Sequence, residues 1–359
     1  MQTSKKSTSE IHNLDTTEYS RFPEEKNCFM RALYDKDFPF YQQDLLTNMT
    51  KWVDSGEKGF SRLDLALYAA SWTIDAHMPF AKKWFPKPSL KDYIPVEVVQ
   101  RLPNEIAKED LTKYVKRAGK FLGASEVGIA QIDQNQNWIL KNSAKMIGSG
   151  EIKKKENVLP EGVNHAIILI IEMDPSGIRC SPGFLEVASV GLGYSMMTSL
   201  SVSLAQFIRN LGYIAIPSTN DTGLSIPLAI DAGLGAQGRN GLLLTKKYGP
   251  RVRICKVFTN MPLIDDSPDL EFISKITNYC KTCLRCAESC EAKAISFEDT
   301  PNNIPKCSSN NPGVTKWYVD TNACYGIWVK YSTDCGNCIQ VCPFSKTPTK
   351  MTSDEFWNI

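Results

Sequence analysis

Histidine is scarce in these 359 residues: His12, His77 and His165 stand far apart and suggest no histidine-based metal triad. Long apolar runs are missing too. The longest unbroken one, Ala166–Ile171, falls far short of the ~20 residues that cross a bilayer, so no transmembrane helix is predicted. Charge of one sign is also missing. Lys and Arg number 41 against 39 Asp and Glu, a net +2, which offers no extended positive field to a nucleic acid. The N-terminal MQTSKKSTSEIHNLD has neither an apolar stretch nor a twin-arginine pair. It reads as a loose polar tail and predicts a cytoplasmic chain, the alternative being the mature form of an exported, membrane-associated protein.

Cysteine is abundant instead. There are 12, eight of them in two motifs between Cys280 and Cys342; Cys28, Cys180, Cys255 and Cys307 lie outside the motifs and read as buried small apolar residues. Tight clustering in a chain of this length points to metal, not to a disulfide framework. Cys280, Cys283, Cys286 and Cys290 spell CxxCxxCxxxC. Cys324, Cys335, Cys338 and Cys342 form a second motif closed by Pro343. One CxxCxxC loop sets three thiolates on three corners of a cubane, and the fourth Cys, a helical turn later, points to the other cluster. That rule assigns Cys280, Cys283, Cys286 and Cys342 to one [4Fe-4S] cluster and Cys324, Cys335, Cys338 and Cys290 to the other. Paired tetrahedral zinc sites are the alternative, but zinc does not call for this spacing with a terminal Cys-Pro. Glu291 in place of Pro and the long spacer after Cys324 depart from the pattern without removing a ligand.

The rest of the chain reads as mixed α/β. Residues 1–105 are rich in Pro, Lys and aromatics, with an amphipathic helix over Arg62–Ala76 and little that reads as strand. From Ala107, AKEDLTKYVKRAGKFLG has helical spacing ended by Gly123. The strands EVGIAQID and HAIILIIEM follow, then a helix over Ser199–Gly212, the strand GYIAIP, and the β-rich GLLLT and RVRICKVFT. A boundary near residue 263 divides a region 106–263 from a Cys-rich region 264–359. Gly233, Gly235 and Gly238 spell GxGxxG, but they follow a helix-like segment, and no acidic residue stands about 20 positions on, so nicotinamide binding is not predicted.

VKRAGKFLGASEVGIA, GLGYSMM, the segment from Ile216 to Asn260 and the double cluster motif together resemble the corrinoid-dependent reductive dehalogenases (catalytic subunit), over about residues 107–345. The resemblance implies a nitroreductase-like cobalamin-binding α/β domain followed by a bacterial-ferredoxin-like double [4Fe-4S] domain. It also implies a base-off cobalamin or other corrinoid and loss of halide from an organohalide at Co(I). Carried over by position, Tyr194 is the proton donor, with Asn220 and Arg253 beside it; the corrinoid-binding residues stay unassigned. The trio is chemically coherent, because a phenol that ionises near pH ~10 needs a fixed cation to stabilise its phenolate. Taken singly, Tyr194 reads as a core residue and Asn220 as turn chemistry, and Arg251 shares a strand face with Arg253. Trp317, Tyr318, Tyr325, Trp328 and Tyr331 are candidate pocket walls or plain packing.

The resemblance further implies an external electron donor (a ferredoxin, a flavodoxin or a membrane donor), and the balanced charge predicts no nucleic-acid partner. It leaves room for a peripheral membrane-anchor partner and for a homodimer. Two other readings remain: an epoxyqueuosine reductase acting on transfer RNA, which resembles this chain in fold and cofactors, and a non-catalytic iron-sulfur electron-transfer protein. Which organohalide is used is not legible.

Overall fold

The computed structural model describes residues 8–43, 46–77, 106–132, 137–147, 151–347 and 350–358; residues 78–105 of the expected N-terminal region lie outside the described residues. A four-stranded antiparallel sheet forms the centre, in the order β1 (Glu126–Gln131), β2 (His165–Glu172), β4 (Val252–Thr259), β3 (Ala215–Ser218). Ile167, Leu169 and Ile171 of β2 pack with helices α1 (Lys108–Phe121) and α2 (Phe184–Asn210). Ala166, Ile168 and Ile170 pack on the other face with α3 (Ser225–Asp231). All six are fully buried, and each Ile or Leu contributes about 1.5–3 kcal/mol on that account. Burial on both faces is why the strand reads as one apolar run and not as an alternation.

The helix expected over Ser199–Gly212 begins much earlier, at Phe184, and runs 27 residues. Two glycines in its first half permit close approach: a Cβ on Gly191 would lie 2.4 Å from the Trp72 ring, and one on Gly193 2.8 Å from Arg253 Cγ. Because this half is enclosed nearly all round, it lacks the apolar stripe by which a surface helix is recognised. Among the described residues it is the one helix long and apolar enough to cross a membrane, and 67% of its most apolar window is buried inside the protein.

Other expectations are corrected locally. The segment Arg62–Ala76 forms two helices, Arg62–Ser71 and Thr73–His77, that break at Trp72. GLLLT contributes only the two-residue strand Leu243–Leu244, paired with Ala236–Gln237. The described part of the supposed loose tail is docked. His12 Nε2 lies 2.7 Å from Asp231 Oδ1, Leu14 bridges to Val314, and Asp15 N donates to Gly313 O at 2.9 Å. These are contacts with distant segments, which local composition does not report. The Cys-rich region shares a core with the α/β layer, since Phe272, Ile276 and Trp317 pack with Ala236 and Leu244.

Candidate functional site

Tyr194 projects from the middle of α2 and is half-buried. Its ring stacks on Trp72, with centroids 5.0 Å apart and planes 23° from parallel. The Arg253 guanidinium carbon lies 4.9 Å from the Tyr194 ring centroid. Arg253 shares its side of β4 with Cys255 and Val257, the side facing α2. Arg251 does not reach Tyr194. It is committed to Glu172 Oε1 at 2.7 Å and to Met173 O at 2.5 Å, which separates the two arginines that sequence alternation left equivalent. Asn220 Nδ2 donates to the Tyr194 hydroxyl oxygen at 2.7 Å. With the oxygen accepting there, the phenolic proton is free to point elsewhere.

Asn220 sits on a loop that is fastened from below. Asp221 Oδ1 accepts from Thr219 N at 2.9 Å and from Ser218 Oγ at 3.1 Å, and Thr222 adopts φ +62°. Lys141 Nζ donates to Asn220 O. Lys256 Nζ donates to Thr219 O at 2.5 Å and to Ser225 Oγ at 3.1 Å. Burial holds Lys256 down to about 7, against the opposing pull of Asp221, and Lys141 is likewise lowered by burial. Neither lysine nor Trp72 was singled out from sequence. The one available signal was a lysine inside the otherwise apolar RVRICKVFT.

Two adjoining cavities, of about 570 and 500 Å³, meet at Arg253 and also share Gln237, Gly241, Leu242, Lys316 and Trp317 in their walls. Each is the size of a small-molecule site, so together they admit a larger ligand. Asn220, Met173 and N-terminal residues including His12 and Phe22 line the first. Cys290, Cys324, Cys335 and Cys338 line the second. Cys280, Cys283, Cys286 and Cys342 ring a third, smaller cavity with Arg239 and Tyr279. Trp317, Tyr318, Tyr325 and Trp328 wall the second cavity, whereas Tyr331 turns away to Glu291 Oε2 at 2.8 Å.

The thiols are compatible with cubane clusters. Burial pushes Cys286 and Cys324 up to about 12, and Cys335 and Cys342 up to about 11, and neighbouring cysteines push each in the same direction. Four thiolates in such a place require a cationic core to compensate them. A corrinoid is compatible with the larger cavities on separate grounds. Arg253 Nε and Glu186 Oε2 are buried without partners, and both residues face the second cavity. His12, the histidine in the wall, is engaged with Asp231. Of the remaining cysteines, Cys28, Cys180 and Cys255 are buried. The GxGxxG glycines follow α3 and serve packing: a Cβ on Gly235 would sit 2.4 Å from Leu244 O.

A family model described as a 4Fe-4S dicluster domain matches residues 279–346. The tetrachloroethene reductive dehalogenase of Dehalobacter restrictus is 33% identical over 356 residues, covering 82% of this chain and 64% of that protein. The tetrachloroethene reductive dehalogenase of Sulfurospirillum multivorans is 34% identical over 319 residues, covering 80% and 62%. The chain thus spans just under two thirds of the length of these curated relatives. The epoxyqueuosine reductase of Cyclobacterium marinum is 26% identical over 258 residues, covering 66% of this chain and 80% of that protein. Among solved structures, a catabolic reductive dehalogenase in complex with 3-bromo-4-hydroxybenzoic acid superposes with TM-score 0.66 at 22% identity, covering 94% of this chain and 43% of that one. A reductive dehalogenase described as suggesting a mechanism for B12-dependent dehalogenation gives 0.67 at 21%, with the same coverage. At these identities the structural likeness establishes the fold, a mixed helix and sheet layer followed by a dicluster ferredoxin-like segment.

Proposed function

The chain is homologous to the reductive dehalogenases over 82% of its length, and on that premise we propose that it replaces a carbon–halogen bond of a small organohalide by carbon–hydrogen and releases halide. The reaction consumes two electrons and one proton. The observation that carries the reading is the Tyr194 hydroxyl, bonded to Asn220 in the wall of the first cavity and overlaid by Arg253, which lines both cavities, the second with four cluster cysteines in its wall.

A corrinoid held along Gln237, Gly241, Leu242, Lys316 and Trp317 would supply the reduced cobalt that delivers electrons to the carbon–halogen bond. The protein's residues position and protonate. Tyr194 gives its hydroxyl proton to the carbon, while Asn220 Nδ2 and the Arg253 charge hold the oxygen as it becomes anionic. Trp72 fixes the ring by stacking. Arg253 is also a cation available to the departing halide. The N-terminal residues in the first cavity wall support a role for the region 1–105 in shaping the substrate pocket. Each cluster passes one electron at a time from a separate donor such as a ferredoxin, a flavodoxin or a membrane donor.

The test is anaerobic reconstitution with iron, sulfide and cobalamin, followed by metal analysis and a reduced-viologen assay on chlorinated and brominated ethenes and phenols. About eight iron and one cobalt per chain, with halide released, is the expected result. Iron without cobalt would leave an electron carrier, and cobalt with turnover only on an epoxyqueuosine-bearing RNA stem loop would move the assignment to the tRNA reaction.

A further inference from the structure

Arg239 is one of the most deeply enclosed side chains in the molecule, 1% exposed. Among the described residues no carboxylate forms an ion pair with it. Its fork donates to neutral carbonyls instead. Nε and Nη2 reach Cys280 O at 3.0 and 2.6 Å, Nη1 reaches Ser296 O and Glu298 O at 2.7 Å each, and Nη2 reaches Lys281 O at 3.2 Å. The guanidinium carbon lies 4.9 Å from the Trp317 ring centroid, and Trp317 Nε1 donates to the same Glu298 carbonyl at 2.9 Å.

Cys280 and Lys281 belong to the last turn of the helix Leu270–Thr282, whose free carbonyls favour a cation. The dipoles hold the guanidinium but leave its charge uncancelled. In a dry interior that charge acts over a longer range than it would in water. What it faces is the small cavity ringed by Cys280, Cys283, Cys286 and Cys342. The other four cysteines have different company: Glu186 and Asp334, both carboxyls, stand with them in the wall of the second cavity, together with Arg253, Lys26 and Lys316.

We propose that Arg239 is a positioning residue that sets the reduction potential of the cluster at Cys280, Cys283, Cys286 and Cys342, raising it above that of the cluster at Cys290, Cys324, Cys335 and Cys338. A cluster that accepts one electron from an external one-electron donor gains one negative charge, and an uncancelled cation beside it stabilises the reduced form. The first cluster, whose four cysteines line neither of the two larger cavities and which has Arg285 exposed at its rim, is thereby the easier of the two to load. The inference rests on the two-cluster part of the proposed function and not on dehalogenation.

The experiment is a redox titration of the doubly loaded protein followed by electron paramagnetic resonance, for the native chain, Arg239→Gln and Arg239→Lys. The Gln variant should lower the equilibrium constant for reducing the first cluster at least about tenfold, which is about 59 mV for one electron, and leave the second cluster unmoved. The Lys variant, which keeps the charge and loses the fork, should retain most of the native value. An unmoved first cluster in the Gln variant overturns the proposal, and so do equal shifts in both variants, because a mere hydrogen-bond bracket predicts those. If the Gln variant does not retain both clusters, the native chain decides. Cys283→Ser marks the first cluster by altering its signal, and the proposal stands if that cluster has the higher native midpoint and falls if it has the lower. These midpoints are readable without turnover, so a failed dehalogenase assay does not bear on them, and a chain that takes up a single cluster defeats the two-cluster reading itself.

Discussion

Replacing Tyr194 by Phe separates chemistry from packing more cleanly than any other change at the site. The ring is kept, so its stack on Trp72 and its place under Arg253 persist; such contacts are worth about 0.5–2 kcal/mol each. The structural loss is one hydrogen bond to Asn220, about 0.5–1.5 kcal/mol, with no further penalty because Asn220 is exposed and regains water. The chemical loss is the proton itself. A positioned general acid accounts for ~10²–10⁴ in rate, or about 2.7–5.4 kcal/mol of barrier. The Phe variant should therefore load iron and cobalt normally, unfold at nearly the native denaturant concentration, and release halide ~10²–10⁴ times more slowly in an anaerobic single-turnover assay. A fully loaded variant within a factor of about ten of native turnover would refute the assignment of Tyr194 as proton donor.

Asn220→Ala should slow halide release roughly 10- to 150-fold, the cost of a bond of about 1.5–3 kcal/mol to a developing phenolate; an effect confined to KM would mean that Asn220 only shapes the pocket. Lys256→Met should change how stability depends on pH. With Lys256 held down to about 7 from its ordinary 10.5, the folded chain binds fewer protons than the unfolded one between those values. Native stability therefore rises with pH across that window, by up to about 1.4 kcal/mol per unit, and the Met variant should lose that slope; parallel urea midpoints for the two proteins from pH 7 to 10 would contradict it. Cys290→Ala should abolish the resonance of the cluster beside the large cavity and spare the one marked by Cys283→Ser, although Cys290 lies in the first sequence motif. Loss of the marked signal would refute the crossed ligation.

The cluster motifs were legible because ligation there is set by spacing along a few turns of chain, and local spacing is what a sequence records. The same holds for β2, whose unbroken apolar run follows from burial on both faces, and for α1, whose apolar stripe and Gly123 stop are local. The first half of α2 was not legible, since a helix enclosed on nearly every side has no stripe and its glycines read as breakers until their neighbours are known. Tyr194, Asn220 and Arg253 were named only through a family resemblance, for composition and periodicity treat each as ordinary. The tertiary structure decided between Arg251 and Arg253 by giving the first to Glu172, brought Trp72 from the N-terminal third onto the Tyr194 ring, and buried Lys256 and Arg239, the latter without an ion pair among the described residues. By itself the sequence determined β2, α1 and the dicluster motif, whose character is set by near neighbours in the chain. Only the fold decided the site, because the field and the hydrogen bonds at one phenol are supplied by a helix, a loop and a strand that meet only once the chain is packed.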